Sequence, residues 1–115
     1  MQTSRQTSEQ LYQQLLEMYQ AAFEAERFEI SHHLLAAALH AAEESRDLEA
    51  LSRVEKLAID SQSAIDRTQS NATMSSESSA SRGNVARFTA LAATARAVRG
   101  RLALTSGSSG GKHTS

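Results

Sequence analysis

The amino-acid sequence predicts an all-α protein, an antiparallel helical hairpin with two further helices in a small right-handed array or bundle. The 115-residue chain contains no proline, and only 4% of its residues are aromatic. Alanine is abundant and β-branched residues are few, a composition that favours helices over strands. Apolar residues also recur at steps of three and four, which is typical of amphipathic helices.

The first helix is predicted to begin at Thr7 or Ser8. Thr7, followed three residues later by Gln10, has the form of a capping box, in which each side chain bonds the other residue's backbone N–H. The helix is expected to end near Glu26 or Arg27. Its predicted buried stripe has helical spacing and consists of Leu11, Leu15, Met18, Tyr19 and Ala22.

The second helix is predicted from about Glu29 to Ser45, and the short polar join before it indicates antiparallel packing on the first. Its broad apolar arc predicts a position between neighbouring helices. The predicted stripe is Ile30, Leu34, Ala37, Ala38 and Ala41, with Leu35 and Leu39 flanking it.

A third helix is predicted after Ser45, with Asp47 as its N-cap, and it extends to about Asp66. Residues 1–66 therefore form a predicted three-helix core. The buried candidates of the third helix are Leu48, Leu51, Val54, Leu57, Ala58 and Ile65.

The rest of the chain divides by composition. Residues 67–83 are rich in serine and nearly lack large apolar side chains, so we predict a mobile linker there. Residues 84–104 form a predicted basic amphipathic helix, and residues 105–115 a disordered Gly/Ser tail. The buried candidates of this fourth helix are Val85, Phe88, Leu91, Ala92, Ala95 and Val98.

Composition excludes several classes of protein. The chain has no cysteine, which removes disulfides, thiolate metal sites and cysteine nucleophiles. The first ten residues lack the apolar segment of a signal peptide, and no window approaches the roughly 20 apolar residues of a membrane span. We therefore expect a soluble, cytoplasmic protein.

Charge is divided unevenly along the chain. Residues 1–66 carry 5 basic and 12 acidic side chains, whereas residues 67–115 carry 7 basic and 1 acidic. The favoured interpretation is that the fourth helix docks on the acidic helices of the same chain. The alternative is that Arg87, Arg96 and Arg99 bind nucleic acid or an anionic membrane surface. Phe88 is the only aromatic residue in this half, which argues against a base-stacking platform.

One segment resembles a known repeat. Residues 19–43 and the helix before them are similar to a single tetratricopeptide repeat over about 35 residues. The matching positions are Phe28, Ser31, Leu35 and Ala38, with Leu15, Met18 and Ala22 in the preceding helix. The chain departs from the repeat in three ways: a serine at position 31 replaces the usual alanine, the early tryptophan is absent, and no proline ends the second helix.

The resemblance implies that the third helix opens a second repeat, with the fourth as its displaced partner. Arrays of this kind generally need three or more repeats, so an apolar flank and self-association, most simply as a dimer, are expected. The run Leu-Ala-Ala-Ala-Leu-His-Ala-Ala-Glu is also similar to one in small bacterial helical proteins, a resemblance that implies no known activity.

Histidines on the second helix are the candidate metal ligands. Glu29 and His32 have the Glu-x-x-His form of a di-iron half-site, but only a second copy would complete it. His33 and His40 lie two turns apart, about 10 Å along the axis, too far to share one ion. We favour local hydrogen bonding of these histidines.

The sequence shows no nucleophile with a base beside it, no phosphate-binding loop and no paired catalytic carboxylates. We predict no catalysis, no cofactor and no small-molecule substrate. The preferred hypothesis is a protein-interaction module that binds a protein partner or a second copy. The alternatives are an anion-binding adaptor that uses the fourth helix, and a metal-binding protein that uses His32, His33 and His40.

Overall fold

The computed structural model describes residues 7–68 and 86–114, with side chains as far as Thr105 in the second range. Every element in these ranges is an α-helix, which confirms the all-α class. The helices are α1 (Ser8–Glu24), α2 (Phe28–Glu44), α3 (Leu48–Thr68) and α4 (Arg87–Thr114). None of the described helices is long and apolar enough to cross a membrane.

Two of the predicted helix starts are confirmed by their caps. The Thr7 hydroxyl accepts a hydrogen bond from the Gln10 N–H at 3.0 Å, and the Thr7 N–H donates to the Gln10 side chain at 3.0 Å. At the start of α3 the Asp47 carboxylate accepts a bond from the Ala50 N–H at 3.1 Å. These caps fix where α1 and α3 begin, because they satisfy N–H groups that have no partner within the helix.

The turns after α1 and α2 have the same backbone geometry. Glu26 and Arg46 take left-handed φ angles of 61° and 55°. The Glu26 N–H donates to the Phe23 carbonyl, and the Arg27 N–H to the Ala22 carbonyl, both at 2.9 Å. This is a Schellman motif, in which glycine is the usual left-handed residue. The tight turns set consecutive helices antiparallel.

Contacts between helices show that two antiparallel hairpins are stacked. Between α3 and α4, the Phe88 N–H donates a hydrogen bond to Gln62, and Arg99 donates one to Ser52. Residue numbers therefore increase along α4 where they decrease along α3, so these two helices are antiparallel. The equivalent helices of the two hairpins run parallel. Their contacts are Glu29 with Arg87 and Glu43 with Arg101 between α2 and α4, and Tyr12 with Ala50 and Tyr19 with Ser61 between α1 and α3.

The core of α1 differs from the predicted stripe. The structure buries Tyr12, Leu16 and Tyr19, of which only Tyr19 was predicted, whereas the predicted Leu11 and Met18 are exposed. The two stripes differ by one position, a rotation of 100°. The buried one carries aromatic residues, which bury more area and place two hydroxyl groups within reach of partners.

The stripe predicted for α2 is also displaced. Ala38 and Ala41 are buried as predicted, but Ile30 is exposed, and Leu34 and Ala37 are only partly buried. Leu35 and Leu39 are fully buried. The residues taken as flanks are therefore the centre of the buried arc. The reason is that α2 contacts the second hairpin as well as α1, so its buried arc faces the middle of the stack.

The second hairpin follows the predicted pattern more closely. Every candidate of α4 within the described residues is buried, whereas Val85 lies outside them. In α3, the candidates Leu48 and Leu57 are partly buried and the others are buried.

The boundaries of the last two helices differ from the prediction. Arg67 and Thr68 end α3, and the remainder of the predicted linker, with Asn84, lies outside the described residues. The tail predicted to be disordered is helical as far as Thr114. No proline interrupts it, and extending a formed helix costs far less than starting one.

Candidate interaction surface

The register of the first hairpin brings two apolar stripes together. The Ser8 hydroxyl donates to Glu44 at 2.9 Å at the open end of the hairpin. From there one groove is lined by residues of both helices: Leu11, Leu15, Ala37, His40, Ala41, Glu43 and Glu44. In the antiparallel hairpin, residues of α1 lie beside residues of α2 along this groove. Continued at helical spacing, the same register places Met18 beside Leu34 and Ala22 beside Ile30.

We name this surface the hairpin face, made of Leu11, Leu15, Met18 and Ala22 on α1 and Ile30, Leu34, Ala37 and Ala41 on α2. Leu11 is 40% exposed, Met18 50% and Ile30 55%. The other large exposed apolar side chains among the described residues, Ile59 and Leu104, lie singly on α3 and α4. Single exposed apolar residues are ordinary, whereas a contiguous group marks an interaction surface.

The hairpin face has a polar edge. Exposed His33, His40 and Glu44 border it on α2, and exposed Gln10 and Gln14 border it on α1. An apolar centre with a polar border is the usual anatomy of a protein interface.

All residues of the hairpin face were predicted to be buried; Ala41 is buried and Leu15 and Leu34 pack against the core, whereas Leu11, Met18 and Ile30 are exposed. The feature of the sequence that could have indicated an exposed apolar face is the second apolar arc on each of the two helices.

The three arginines predicted to bind anions are all engaged within the chain. Arg87 reaches Glu29 at 3.4 Å, while Arg96 and Arg99 both reach Glu55, at 2.9 and 2.7 Å. A fourth pair joins α4 to α2, since Arg101 lies 3.0 Å from Glu43. These contacts favour the internal interpretation of the charge asymmetry.

Glu55 is the central acceptor of this network. It is only 9% exposed, and its two carboxylate oxygens accept from separate arginines of α4. A buried carboxylate is stable only when it is paired and hydrogen-bonded. The pairing therefore ties α4 to α3 along their shared length.

His32 is the most buried of the three candidate histidines. Its ring lies 5.3 Å from the Phe88 ring, edge to face, and its buried Nδ1 has no hydrogen-bond partner among the described residues. Burial lowers the pKa of His32, and the positive charges of His33 and Arg87 lower it further. A backbone hydrogen bond and the Glu29 carboxylate act in the opposite direction.

The other two histidines lie on the surface. His33 is exposed, and the exposed His40 lies 3.8 Å from Glu43. Within residues 7–68 and 86–114, no three His, Asp or Glu side chains are close enough to hold a metal ion. The structure thus does not gather Glu29, His32, His33 and His40 into one site.

Two further grooves carry mixed polar groups. One lies between α1 and α3 and includes Tyr12, Asp47, Arg53 and Lys56. The other lies between α3 and α4 and is lined by Ile59, Gln62, Ser63, Asp66, Thr89, Ala92, Ala93 and Arg96. Neither lining combines a nucleophile with an adjacent histidine base, the arrangement that nucleophilic catalysis commonly uses.

Comparisons of the chain with protein-family models, with curated proteins and with solved structures give no significant match. The hairpin face therefore has to be interpreted from its own geometry and chemistry.

Replacing Glu55 by Gln should weaken the docking of α4, because both arginines lose their charged acceptor. We expect the free energy of unfolding to fall by about 1–2 kcal/mol, at the low end for charged hydrogen bonds since Arg96 remains solvated. Urea unfolding at neutral pH measures this change. The control is Asp60→Asn, which removes an exposed pair with Lys56 and should change stability by under about 0.5 kcal/mol. Equal effects of the two substitutions would contradict a structural role for Glu55.

His32 should make stability depend on pH. Its pKa is lower in the folded chain than in the unfolded chain, so the unfolded state binds the proton first as the pH falls. The contribution of neutral His32 to the free energy of unfolding is fully present above the ordinary histidine pKa of about 6.5. It decreases as the pH falls below that value, until the pKa of His32 in the folded chain is passed.

We expect the urea concentration at the midpoint of unfolding of the wild type to decrease when the pH is lowered from about 7.5 to about 5.5. The decrease should be smaller in His32→Gln. His40→Gln, at an exposed position on the same helix, should keep the wild-type dependence. A His32→Gln profile identical to that of the wild type would contradict this assignment.

Proposed function

We propose that the protein is a non-catalytic helical interaction module that self-associates through the hairpin face. The observation that carries the proposal is the exposure of three large apolar side chains, Leu11, Met18 and Ile30, which helical spacing places on one side of the first hairpin. These side chains point away from the core that the two hairpins share. A cytoplasmic location is part of the proposal, in keeping with a chain that uses no cysteine.

The energy available from the hairpin face predicts weak association. Burying a large apolar side chain fully is worth about 1.5–3 kcal/mol, so each half-exposed side chain would contribute on the order of 1 kcal/mol. Two copies contribute six such side chains. The sum is comparable with the free-energy cost of association, at least about 4 kcal/mol. We therefore expect a reversible equilibrium that depends on protein concentration.

The stacking of the hairpins supports the same proposal. Two antiparallel hairpins whose equivalent helices run parallel have the arrangement of a helical-repeat array, as the likeness to a tetratricopeptide repeat implies. In such arrays each repeat covers an apolar flank of its neighbour, and the terminal repeats need a cap or a partner. Here no further described helix covers the outer side of the hairpin formed by α1 and α2.

The alternatives have less support. Anion binding would require Arg87, Arg96 and Arg99 to leave their carboxylate partners, and metal binding would require histidines that the fold does not bring together. We therefore do not extend either hypothesis.

The test is the molar mass of the wild type and of Met18→Glu over a series of concentrations, measured by light scattering. We expect the wild-type mass to rise from 12.4 kDa towards twice that value. A carboxylate at position 18 would have to be buried on association, so Met18→Glu should remain at the monomer mass.

The control is Ile59→Glu, which changes a side chain of similar exposure, 44%, on the second hairpin. It should associate like the wild type. Circular dichroism should show that both variants keep the helical fold. A wild type that is monomeric at every concentration, or a Met18→Glu variant that associates normally, would overturn the proposal.

A further inference from the structure

We infer that the partner is a second copy of this chain whose α1 lies antiparallel to the first α1, about a two-fold axis beside Met18. This inference rests on the proposed function and specifies its geometry. Three properties of α1 support it: a neutral outer arc, an uneven distribution of large and small residues along that arc, and the charges at its two ends.

The outer arc of α1 has no charged residue. At 100° per residue, seven positions fall within about 120° of the helix surface, with Met18 at their centre. All seven are exposed or partly exposed: Leu11, Gln14, Leu15, Met18, Ala21, Ala22 and Ala25. Glu9 lies on the opposite side of the helix, and Glu17 and Glu24 lie outside the arc, about 100° and about 120° from Met18. Two such arcs can therefore meet without bringing like charges together.

Residue size varies along the arc in a self-complementary way. The large side chains precede Met18, and the positions after it are alanines. A two-fold axis at Met18 places Leu11 opposite Ala25 of the second copy and Leu15 opposite its Ala21. Each large side chain then meets a small one, as close packing requires. A parallel arrangement would instead place leucine against leucine at one end and alanine against alanine at the other, which leaves a gap.

The two-fold arrangement also fits the definition of an isologous interface, in which the same patch serves both copies. Ile30 extends the contact, because it lies beside Ala22 on the hairpin face. The two-fold axis keeps both α2 helices on the same side of the α1 pair, so Ile30 would face α2 of the second copy near its Ala37. Its exposed side chain would then be covered in the dimer.

Charges at the ends of α1 favour the same orientation. Glu44 lies at its N-terminal end, where it accepts a hydrogen bond from Ser8. The antiparallel register places Arg27 of the second copy at this end. Arg27 is exposed and forms no ion pair within residues 7–68 and 86–105. Glu26 falls opposite the neutral Gln10, so Arg27 is the side chain of the second copy that this register pairs with Glu44.

The experiment uses single-cysteine variants of the full chain, which has no cysteine of its own. Under mild oxidation we expect Met18→Cys to form a disulfide-linked dimer in high yield, because position 18 meets itself at the axis. Ile59→Cys is the control at an exposed position of the second hairpin, and it should remain largely monomeric.

A second pair of variants determines the orientation. In the antiparallel dimer the two copies of position 11 are 14 residues apart along the helices, about 21 Å. Leu11→Cys alone should therefore give little cross-linked dimer, whereas a mixture of Leu11→Cys with Ala25→Cys should give a cross-linked heterodimer.

The outcomes separate the inference from the proposed function. Efficient cross-linking of Leu11→Cys to itself would show a parallel dimer, which overturns the inference and leaves the function intact. A wild-type dimer in which Met18→Cys does not cross-link would overturn the inference in favour of another surface. A wild type that stays monomeric by light scattering would overturn both, and would leave the hairpin face to a partner other than a second copy.

Discussion

A helix with two adjacent apolar arcs can turn only one of them towards the core, and α1 is such a helix. One arc contains Tyr12, Leu16 and Tyr19, and the other contains Leu11 and Met18. The first arc faces the core because its aromatic side chains have partners there: the Tyr12 hydroxyl donates to the Ala50 carbonyl, and the Tyr19 hydroxyl shares a hydrogen bond with Ser61. The second arc is left at the surface as a direct consequence.

The aromatic residues reinforce that choice. Phe23 lies 5.1 Å from Phe28 and 6.2 Å from Phe88, ring centre to ring centre, so one side chain links three helices. The chain has only five aromatic residues, and all of them lie in or against this core. Rotating α1 to bury Leu11 and Met18 would break this cluster. The core thus determines which surface remains for association.

The second hairpin is held by a different kind of interaction. The four arginines of α4 are matched by carboxylates of α2 and α3, with the buried Glu55 receiving two of them. This pairing joins four of the 7 basic residues in the second part of the chain to three of the 12 acidic residues in the first. It leaves the hairpin face uncovered, with Leu11, Met18 and Ile30 exposed.

Much of the fold follows from the sequence. The capping residues Thr7 and Asp47 determine two helix starts, and the apolar spacing of α3 and α4 identifies their buried sides, because each of those helices has one dominant arc. The sequence could not determine which arc of α1 is buried, since Leu11 and Leu16 are equally apolar and lie on neighbouring arcs. That choice depends on contacts with Ala50, Ser61 and Phe88, which are distant along the chain.

The same limit applies to the candidate site. The residues of the hairpin face are visible in the sequence as a periodic stripe, but a stripe by itself does not distinguish a core from an interface. Likewise the spacing of Arg96 and Arg99 shows a basic face, and only the fold shows that Glu55 lies beneath it. Periodicity specifies which residues share a face, while tertiary packing specifies what that face meets.

Hydroxyl-radical footprinting at increasing protein concentration tests the central claim most directly, because it reports the accessibility of individual side chains in the unmodified chain. The account predicts that Leu11 and Met18 lose reactivity as the concentration rises, while Ile59 and Leu104 on the second hairpin keep theirs. Reactivities of Leu11 and Met18 that do not change with concentration, or protection of Ile59 and Leu104 instead, would contradict it.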